Sequence, residues 1–387
     1  MIMKKKIAFV MYDGTVGGTE RVLLNMLSDF DFDRYDVTLW LMKEHGPMFK
    51  NIDSRINLRF ADIVDGWDCI KHDIRNRNLP HLIKGVFART YLKKDWLHEK
   101  WYLNEIYPTV DEKYDCVVAY MGISATVASF ALNRLIGKKK ILWVHGIFNY
   151  TKKECCFLNN QYKKFDLVYC VSKDARDDFI KKFPKSRNKV YLYYNHIDTG
   201  RIINMSQCDM DTSMQHTSIV TVARLSEEKG QNMVPRITRM LLDQGYMIHW
   251  YLIGEGTLRE VVESEIEKHN VGGFVHLLGT KENPYPYIKN CDIYAQPSFR
   301  EGYCTTTVEA KILQKPIITT KAPGMQEQFV SGENGLIVDA MTPEALFEGI
   351  KTLIDHPEMR KKFVENLKNE GYDNSKKLQK LYDFIES

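Results

Sequence analysis

Short apolar segments alternate with amphipathic segments along most of this chain. The apolar segments of the first half are KIAFVMY, YDVTLWLM, RINLRF, DCVVAY, KILWVH, DLVYCVS and KVYLYYN, and those of the second half are SIVTVARL, MIHWYLIG, FVHLLG, DIYAQPS, KPIITT and NGLIVD. Runs of this length that are rich in Val, Ile, Tyr and Phe predict buried strands. Strands that alternate with helices are typical of a parallel sheet covered on both faces. The two blocks therefore predict an α/β protein with two doubly wound domains.

The chain has 387 residues, which is enough for two hydrophobic cores. The polar segment INMSQCDMDTSMQHT lies between the two blocks and has little hydrophobic periodicity. We therefore expect an N-terminal domain over residues 1–202, a linker over 203–216 and a C-terminal domain over 217–373.

Composition excludes disordered, fibrous and membrane-spanning classes. The chain is 44% hydrophobic and 27% charged, as in an ordinary globular protein. No segment approaches the ~20 apolar residues of a membrane-spanning helix. The eight cysteines show no paired C-x-x-C spacing, so reduced thiols and a cytoplasmic location are expected. The adjacent Cys155 and Cys156 could form a metal or redox site, although ordinary thiols are the favoured interpretation.

Positive charge is concentrated in the first half. Residues 1–200 contain 33 Lys and Arg against 24 Asp and Glu, whereas the remainder contains 21 against 26. Residues 81–107, HLIKGVFARTYLKKDWLHEKWYLNEIY, have a helical pattern with many basic and aromatic side chains. Two interpretations stay open: a helical insertion packed on the first domain, or a surface that lies against an anionic bilayer. The second interpretation predicts peripheral contact with the inner face of the cell membrane.

Glycines follow two of the predicted strands where helices begin. Gly17 and Gly18 follow KIAFVMY, and Gly254 and Gly256 follow MIHWYLI. Ligands of open parallel sheets bind at the carboxyl ends of strands, where helix N-termini and glycine turns present free amides. The turn at Gly17 and Gly18 could contact a phosphate or a sugar, but it is not the spaced G-x-G-x-x-G motif, and a simple turn remains the alternative. The turn at Gly254 and Gly256 lies beneath a helix N-terminus and suits a nucleotide.

Charged side chains follow two strands of the second block. Arg224 and Lys229 come after SIVTV, and an arginine fork beside a mobile lysine suits a diphosphate, although solvated surface cations are the alternative. Glu301 lies in the loop after DIYAQPS, and Glu309 lies in the helix that begins near Thr305. Two carboxylates so placed can point into one cleft and accept hydrogen bonds from sugar hydroxyls. Acids also favour helix starts, which is the alternative explanation of Glu309.

Together these motifs resemble the retaining GT-B glycosyltransferases of family four. The resemblance rests on R-L-x-x-x-K-G with Arg224 and Lys229, on the G-E-G-x-L-R turn and on E-x7-E with Glu301 and Glu309. It extends to V-H-G at 144–146 and to N-G-L-I at 334–337. The chain departs from the family where E-G-F-G becomes E-G-Y-C at 301–304, and where N-G-[IV]-D becomes N-H-I-D at 195–198.

The resemblance implies the GT-B fold, with two Rossmann-like domains facing across a cleft and residues 374–387 packing back on the first domain. It implies that Glu309 holds the nucleotide ribose and that Glu301 holds hydroxyls of the donor sugar. It also implies that Arg224 and Lys229 neutralise the diphosphate. It implies that His145, at the end of KILWV, contacts the sugar, and a core histidine with satisfied hydrogen bonds is the alternative. Further donor contacts are implied at Gly17, Gly18, Gly254, Gly256, Gly302, Tyr303, Cys304 and Thr305.

The implied reaction moves a sugar from a nucleotide diphosphate to a glycan or lipid-linked acceptor in bacterial surface polysaccharide or capsule assembly, and it retains the anomeric configuration. We expect the nucleotide diphosphate to be UDP. No cofactor, metal or nucleic acid is expected. Asp209-Met210-Asp211 matches the D-x-D metal motif, but it lies in the predicted linker, and we interpret the match as coincidental. Two alternatives stay open, a nucleotide-sugar 2-epimerase on the same fold and a sugar-nucleotide-binding protein without turnover.

Overall fold

The computed structural model describes residues 3–15, 17–46, 52–61, 75, 110–122, 124–215, 217–372 and 375–387. The segment 81–107 lies outside the described residues, and both interpretations of it stay predictions. Within the described residues all thirteen strands predicted from the sequence are confirmed. They are β1 (Lys5–Met11), β2 (Tyr35–Leu41), β3 (Asn57–Phe60), β4 (Val110–Ala119), β5 (Leu135–Val144), β6 (Leu167–Cys170), β7 (Val190–Leu192), β8 (Ser218–Val222), β9 (His249–Ile253), β10 (Val275–Leu277), β11 (Ile293–Gln296), β12 (Ile317–Thr320) and β13 (Leu336–Val338).

The same residues contain twelve α-helices. They are α1 (Gly18–Ser28), α2 (Ala125–Asn133), α3 (Lys152–Tyr162), α4 (Lys173–Lys182), α5 (Thr199–Met205), α6 (Val234–Asp243), α7 (Arg259–Lys268), α8 (Tyr285–Asn290), α9 (Thr305–Ile312), α10 (Pro343–Asp355), α11 (Pro357–Glu370) and α12 (Ser375–Glu386). Among the described helices, none combines the length and the hydrophobicity that spanning a bilayer requires.

The strands form two sheets in two compact units, and every paired strand is parallel to its neighbour. The first unit comprises Met1–His196 and Ser375–Ser387, and its sheet has the order β3-β2-β1-β4-β5-β6-β7. The second comprises Ile197–Asn374, with the order β10-β9-β8-β11-β12-β13. Central strands are buried on both faces, as the fully buried side chains of residues 7–11 show. This burial explains why the strands appear in the sequence as continuous apolar runs.

In each sheet the strand order reverses at one point. The reversal falls between β1 and β4 in the first sheet and between β8 and β11 in the second. At such a point the connections leave in opposite directions, which opens a crevice at the carboxyl ends of the strands. The predicted glycine loop at Gly17 follows β1, and the loops with Lys229 and Glu301 follow β8 and β11. Gly17, Lys229 and Glu301 thus follow strands that flank the reversals, whereas His145 follows β5 and Gly254 follows β9.

The division between the units lies between His196 and Ile197, earlier than the boundary predicted after residue 202. The reason is that Asp198 caps α5 by accepting a hydrogen bond from the Arg201 amide at 2.8 Å. Helix α5 packs on α8 and α9, and the Gln215 amide donates to the Tyr251 hydroxyl at 2.9 Å. The segment expected to be a linker is therefore folded onto the second unit.

Helix α12 belongs to the first unit. The ring of Tyr382 stacks on that of Tyr35, with 4.9 Å between centroids, and its hydroxyl accepts a hydrogen bond from the Asp31 amide at 2.9 Å. Glu386 pairs with Lys5 at 3.0 Å and accepts a hydrogen bond from the Tyr35 hydroxyl at 2.6 Å. The helix thus completes a layer over the first sheet although it follows the second unit in sequence.

The described cysteines are free thiols. Cys155 and Cys156 lie on α3, where the first is partly buried and the second exposed, and neither belongs to a group of three metal-ligating side chains within the described ranges.

Candidate functional site

Two loops of the second unit, 223–230 after β8 and 297–302 after β11, lie against each other. The amides of Phe299 and Arg300 donate to the carbonyl of Glu228 at 2.8 Å and 3.2 Å. Gly230 has a φ of 69°, and a Cβ there would lie 2.1 Å from the Pro297 carbonyl oxygen. Only glycine permits this approach, because any side chain would meet backbone. The close packing brings the side chains of the two loops together.

The partly buried Lys229 and the buried Glu301 form an ion pair across these loops. The Lys229 ammonium donates to Glu301 Oε2 at 2.7 Å, and the two side chains are 20% and 5% exposed. Burial alone would lower the pKa of Lys229, but the neighbouring Glu301 carboxylate outweighs it, and the pKa is raised. The lysine therefore stays charged throughout the physiological range. The structure thus brings together two residues that were predicted for separate roles, one for the diphosphate and one for the sugar.

The second oxygen of Glu301 is held from the interior of the unit. The Ser298 hydroxyl donates to Glu301 Oε1 at 2.6 Å, and Ser298 is fully buried. Behind it, Gln296 and Tyr294 continue a hydrogen-bonded series along β11. Sequence reasoning missed these three residues. The alternation of polar positions in DIYAQPS was the available signal, since residues i, i+2 and i+4 of a strand lie on one face.

Glu309 lies in α9 and is 1% exposed. The Tyr285 hydroxyl donates to Glu309 Oε1 at 3.5 Å. Helix α9 begins at Thr305, so Glu309 is beyond the first turn, where the preference of helix starts for acids has faded. Helix-start statistics therefore do not account for this buried carboxylate.

Arg224 is not part of the ion pair. Its side chain is 73% exposed and lies 3.7 Å from Glu228. Its carbonyl accepts a hydrogen bond from the Gln231 side chain at 2.9 Å, so the backbone is fixed while the guanidinium lies in solvent. Of the two predicted phosphate-binding cations, one is thus held in place and the other is exposed.

The turn with Gly254 and Gly256 packs against the loop that carries Arg224. Gly254 has a φ of 140°, and a Cβ there would lie 2.1 Å from the Ala223 carbonyl oxygen. A Cβ on Gly256 would lie 2.3 Å from the Leu225 carbonyl oxygen. These glycines are required for the contact between the loops, which is a structural reason for them. Their predicted contact with a nucleotide stays a prediction.

Residues 302–305 lead from Glu301 into α9. Gly302, Tyr303 and Thr305 are partly buried, whereas Cys304 is buried. The pKa of the Cys304 thiol is raised to about 11, mainly by burial and also by the Glu301 carboxylate, while Lys229 opposes the shift. The thiol is therefore protonated at neutral pH and is no nucleophile there.

In the first unit, the glycine loop lies beside a carboxylate. Gly17 precedes α1 and Gly18 begins it, and a Cβ on Gly17 would lie 2.5 Å from Glu20 Oε2. Glu20 is buried and follows directly in the first turn. Because this carboxylate lies at the helix N-terminus, the loop suits a sugar hydroxyl better than a phosphate. Sequence reasoning missed Glu20.

His145 follows β5 and lies in an aromatic cluster. Its ring centroid is 4.6 Å from that of Tyr120, and its ring stacks on that of Trp143. Burial lowers the pKa of His145 to about 3, although a backbone hydrogen bond at Tyr120 opposes the shift. The imidazole is therefore neutral at pH 7.

Several buried polar atoms of this aromatic cluster have no hydrogen-bond partner among the described residues. They are His145 Nε2, the Tyr120 hydroxyl, Trp143 Nε1 and the Tyr193 hydroxyl. Sequence reasoning named His145 and missed the others. The contact of His145 with a donor sugar stays a prediction.

The D-x-D string serves a structural purpose through Asp211. Its carboxylate pairs with Lys281 and accepts a hydrogen bond from the Tyr287 hydroxyl. Both contacts hold the segment after α5 onto the second unit. In the parts of the chain that the structure describes, no three His, Cys, Asp or Glu side chains are grouped so as to hold a metal ion.

Comparison with known proteins identifies two family models along the chain. The model described as Glycosyltransferase Family 4 matches residues 16–201, and the model described as Glycosyl transferases group 1 matches residues 212–370. The first match contains β2 to β7, and the second contains β8 to β13.

Among curated relatives, the N-acetylgalactosamine-N,N'-diacetylbacillosaminyl-diphospho-undecaprenol 4-alpha-N-acetylgalactosaminyltransferase of Campylobacter jejuni is 28% identical. That match covers 54% of this chain and 56% of the Campylobacter enzyme, so it spans little more than half of each. An uncharacterized glycosyltransferase of Haemophilus influenzae is 22% identical over 92% of both chains.

Among solved structures, Anabaena HepE in complex with UDP-glucose superposes with a TM-score of 0.72 at 16% identity, covering 99% of both chains. WaaG, a glycosyltransferase involved in lipopolysaccharide biosynthesis, superposes with a TM-score of 0.66 at 13% identity, covering 98% of this chain and 99% of WaaG. At these identities the likeness establishes the fold.

Proposed function

Since the chain belongs to the glycosyltransferases of the GT-B fold, we propose that it transfers a sugar from a UDP-linked donor to a glycan or lipid-linked acceptor in surface polysaccharide assembly. The observation that carries this proposal is the ion pair of Lys229 with the buried Glu301 at the strand reversal of the second sheet. The Campylobacter relative, whose name specifies an undecaprenol-linked saccharide as its acceptor, supports the acceptor class.

The ion pair can bind both sides of the bond that breaks. Lys229 donates one hydrogen bond to Glu301, which leaves two N–H groups of its ammonium for phosphate oxygens. Each oxygen of Glu301 accepts one hydrogen bond and keeps a lone pair for a sugar hydroxyl. A cation fixed beside the leaving diphosphate stabilises the negative charge that develops there. Glu309, buried in α9, supplies the carboxylate proposed for the ribose.

We propose that the reaction retains the anomeric configuration. The bond between C1 and the diphosphate oxygen breaks while the acceptor oxygen bonds to C1 on the same face, and the acceptor proton passes to the departing phosphate. This path needs no protein base. The low pKa of His145 supports it, because an imidazole with a pKa of about 3 is a poor base at pH 7.

We propose that transfer needs no metal ion. Lys229 and the exposed Arg224 supply positive charge for the diphosphate, and Asp211 of the D-x-D string is engaged with Lys281. Activity is expected to persist in EDTA. Complete loss on chelation, restored by Mn²⁺, would contradict this part of the proposal.

We propose that the protein acts at the cytoplasmic face of the cell membrane. The basic first half of the chain supports this, because anionic headgroups attract Lys and Arg. Co-sedimentation with vesicles that contain anionic lipid, and not with neutral vesicles, is the expected result. Equal sedimentation with both would contradict the electrostatic contact.

The test of the function is incubation of the purified protein with a panel of UDP-sugars. Release of UDP, with a glycosylated product when a lipid-linked acceptor is added, is expected for a transferase. An isomerised sugar would favour the 2-epimerase, and binding without turnover would favour a binding protein. The relatives named above are glycosyltransferases, so neither alternative is favoured.

The site assignment is tested in the same assay with three variants. Glu301→Gln is expected to slow transfer by about 10²-fold to 10³-fold. Glu309→Gln is expected to weaken UDP binding. Glu333→Gln, which changes an exposed carboxylate paired with Lys362, is the matched control. If all three variants match the wild type in rate and UDP affinity, the assignment is wrong.

A further inference from the structure

Three buried side chains lead through the second unit to Glu301. Tyr294, Gln296 and Ser298 occupy alternate positions of β11 and its extension, and all three are 0% exposed. The Tyr294 hydroxyl donates to Gln296 Oε1 at 3.0 Å, and Gln296 Nε2 donates to Ser298 Oγ at 2.9 Å. The Ser298 hydroxyl then donates to Glu301 Oε1 at 2.6 Å. We call these three side chains the β11 relay.

The hydrogen bonds of the β11 relay all point towards the carboxylate. The orientation of the Gln296 amide is fixed at both ends, because its oxygen also faces the Thr306 hydroxyl at 3.4 Å while its nitrogen faces Ser298. Tyr294 also lies 3.4 Å from the Val222 carbonyl, but its contact with Gln296 is the shorter one. Aligned donors in a buried setting polarise one another, which strengthens the last bond to the charged acceptor.

The backbone of the relay is held independently of Glu301. The Thr320 hydroxyl donates to the Ser298 carbonyl, and the amides of Phe299 and Arg300 donate to the Glu228 carbonyl. Because Gln296 Nε2 also donates to Ser298 Oγ, the Ser298 oxygen is held from a side other than the carboxylate. With Oε1 fixed by Ser298 and Oε2 by Lys229, the carboxylate plane of Glu301 has a single orientation.

We infer that Ser298 and Gln296 are positioning residues for the transfer reaction, which they assist by fixing the Glu301 carboxylate. The inference rests on the proposed role of Glu301 towards the donor sugar. Without the Ser298 hydroxyl, Lys229 alone holds the carboxylate, which can then rotate to place both oxygens on the ammonium. The free lone pairs would no longer point in one direction, and transfer would slow although the nucleotide still binds.

If the relay had only a structural role, losing one of its hydroxyls would lower stability without lowering kcat. Thr319 provides the comparison, because its hydroxyl is also fully buried in this sheet and donates to the Gln296 carbonyl at 3.1 Å. That bond ends on backbone and does not lead to Glu301. Thr319→Val is therefore the matched control for the loss of a buried hydroxyl.

The experiment measures kcat, KM for a UDP-sugar, Kd for UDP and Tm in the full-length protein. Ser298→Ala is expected to lower kcat by about 10-fold to 100-fold, the range for a hydrogen bond to a charged group. The Kd for UDP is expected to stay within about twofold of the wild type. Gln296→Met, which keeps the Ser298 hydroxyl and a similar volume, is expected to lower kcat less. Thr319→Val is expected to lower Tm without lowering kcat.

The decisive comparison combines Ser298→Ala with Glu301→Gln. If the relay acts through Glu301, the double variant has the kcat of Glu301→Gln alone, because interacting residues are not additive. The inference would be overturned if the fold losses of kcat in the two single variants multiplied in the double variant. It would also be overturned if Ser298→Ala had the same kinetics as Thr319→Val. If Ser298→Ala does not fold, Gln296→Met is combined with Glu301→Gln in its place, and the same comparison of kcat values tests the inference. An unaffected Glu301→Gln variant would instead refute the proposed role of Glu301, which separates the two failures.

Discussion

The predicted site residues of the two units differ in how their polar atoms are satisfied. In the second unit, both oxygens of Glu301 accept hydrogen bonds, from Lys229 and from Ser298. In the first unit, the buried nitrogen of His145 has no partner among the described residues, and neither has the hydroxyl of Tyr120. A buried polar group without a partner costs free energy. The second unit therefore fixes Lys229 and Glu301 by its own contacts, whereas the first retains groups with unused hydrogen-bonding capacity.

The difference separates two ways of preparing a site. Lys229 and Glu301 are oriented before any ligand arrives, which reduces the reorganisation that the reaction requires. The first unit instead holds a neutral imidazole within aromatic rings, where position is set by packing rather than by hydrogen bonds. We expect substitutions in the second unit to disrupt a charged network and those in the first to alter packing and protonation.

The largest effect is expected from breaking the ion pair. Lys229→Met leaves the buried Glu301 carboxylate without its cation, which is expected to cost about 3–5 kcal/mol of stability. The rate of transfer is expected to fall by about 10²-fold to 10³-fold. The double variant Lys229→Met/Glu301→Gln is expected to recover stability but not activity. Urea denaturation and the UDP-release assay measure the two quantities.

A surface ion pair is the control for this substitution. Lys351 and Asp355 are 2.8 Å apart and about one third exposed, so Lys351→Met is expected to cost less than about 1 kcal/mol. Equal costs for Lys229→Met and Lys351→Met would mean that the second unit does not depend on its buried pair.

The next largest loss of stability is expected when a glycine that packs against backbone is replaced by alanine. Gly254→Ala combines a φ of 140° with a collision against the Ala223 carbonyl, and we expect a loss of about 3 kcal/mol. Gly17→Ala meets only the far end of the Glu20 side chain, which can move, so about 1 kcal/mol is expected. Gly273→Ala has open space around its Cβ and is the control. Urea denaturation would contradict the distinction if Gly17→Ala were the costlier change.

The protonation of His145 is expected to make stability depend on pH. Its pKa is about 3 in the folded protein, against 6.5 as the reference value. Between these values the unfolded chain binds the proton and the folded protein does not, so stability falls as the pH is lowered from about 6.5 towards 3. The contribution of this histidine between pH 7 and pH 5 is about 2 kcal/mol.

His145→Phe is expected to remove this part of the pH dependence and to keep the ring contact with Trp143. Unfolding free energies at pH 7 and pH 5 test it, with the exposed His356→Gln as the control. An unchanged pH dependence in His145→Phe would mean that the imidazole titrates in the folded protein.

The smallest effect on stability is expected at Arg224. Because its side chain is mostly exposed, Arg224→Ala is expected to change stability by less than about 0.5 kcal/mol. The affinity for UDP is nevertheless expected to fall about tenfold if the guanidinium reaches the diphosphate. Isothermal titration with UDP measures this loss, and unchanged affinity would assign diphosphate binding to Lys229 and the backbone.

The strands could be predicted because burial on both faces leaves a continuous apolar run, as in KIAFVMY and SIVTV. The positions of the loops followed from the same pattern, which is why Lys229 and Glu301 were named. Their contact could not be predicted, because 72 positions separate them in sequence and the approach depends on the packing of Gly230 against Pro297.

Other features also escaped sequence reasoning for physical reasons. Glu20 reads as an ordinary acid at a helix start, and only the fold shows that it is buried beside Gly17. The segment after residue 202 has the composition of a linker, but Asp211 fastens it through contacts with Lys281 and Tyr287. Patterns of hydrophobicity do not register such single polar contacts.

Helix α12 has a consequence for the order of folding during synthesis. The strands of the first unit leave the ribosome first, but Tyr35 and Lys5 receive their partners only when residues 375–387 have emerged. The whole second unit is translated in between and can complete its core earlier. The unit whose synthesis begins first is therefore completed last. Its aromatic surface around Phe30 and Tyr35 stays uncovered while nearly 180 residues, from Ile197 to Asn374, are synthesised.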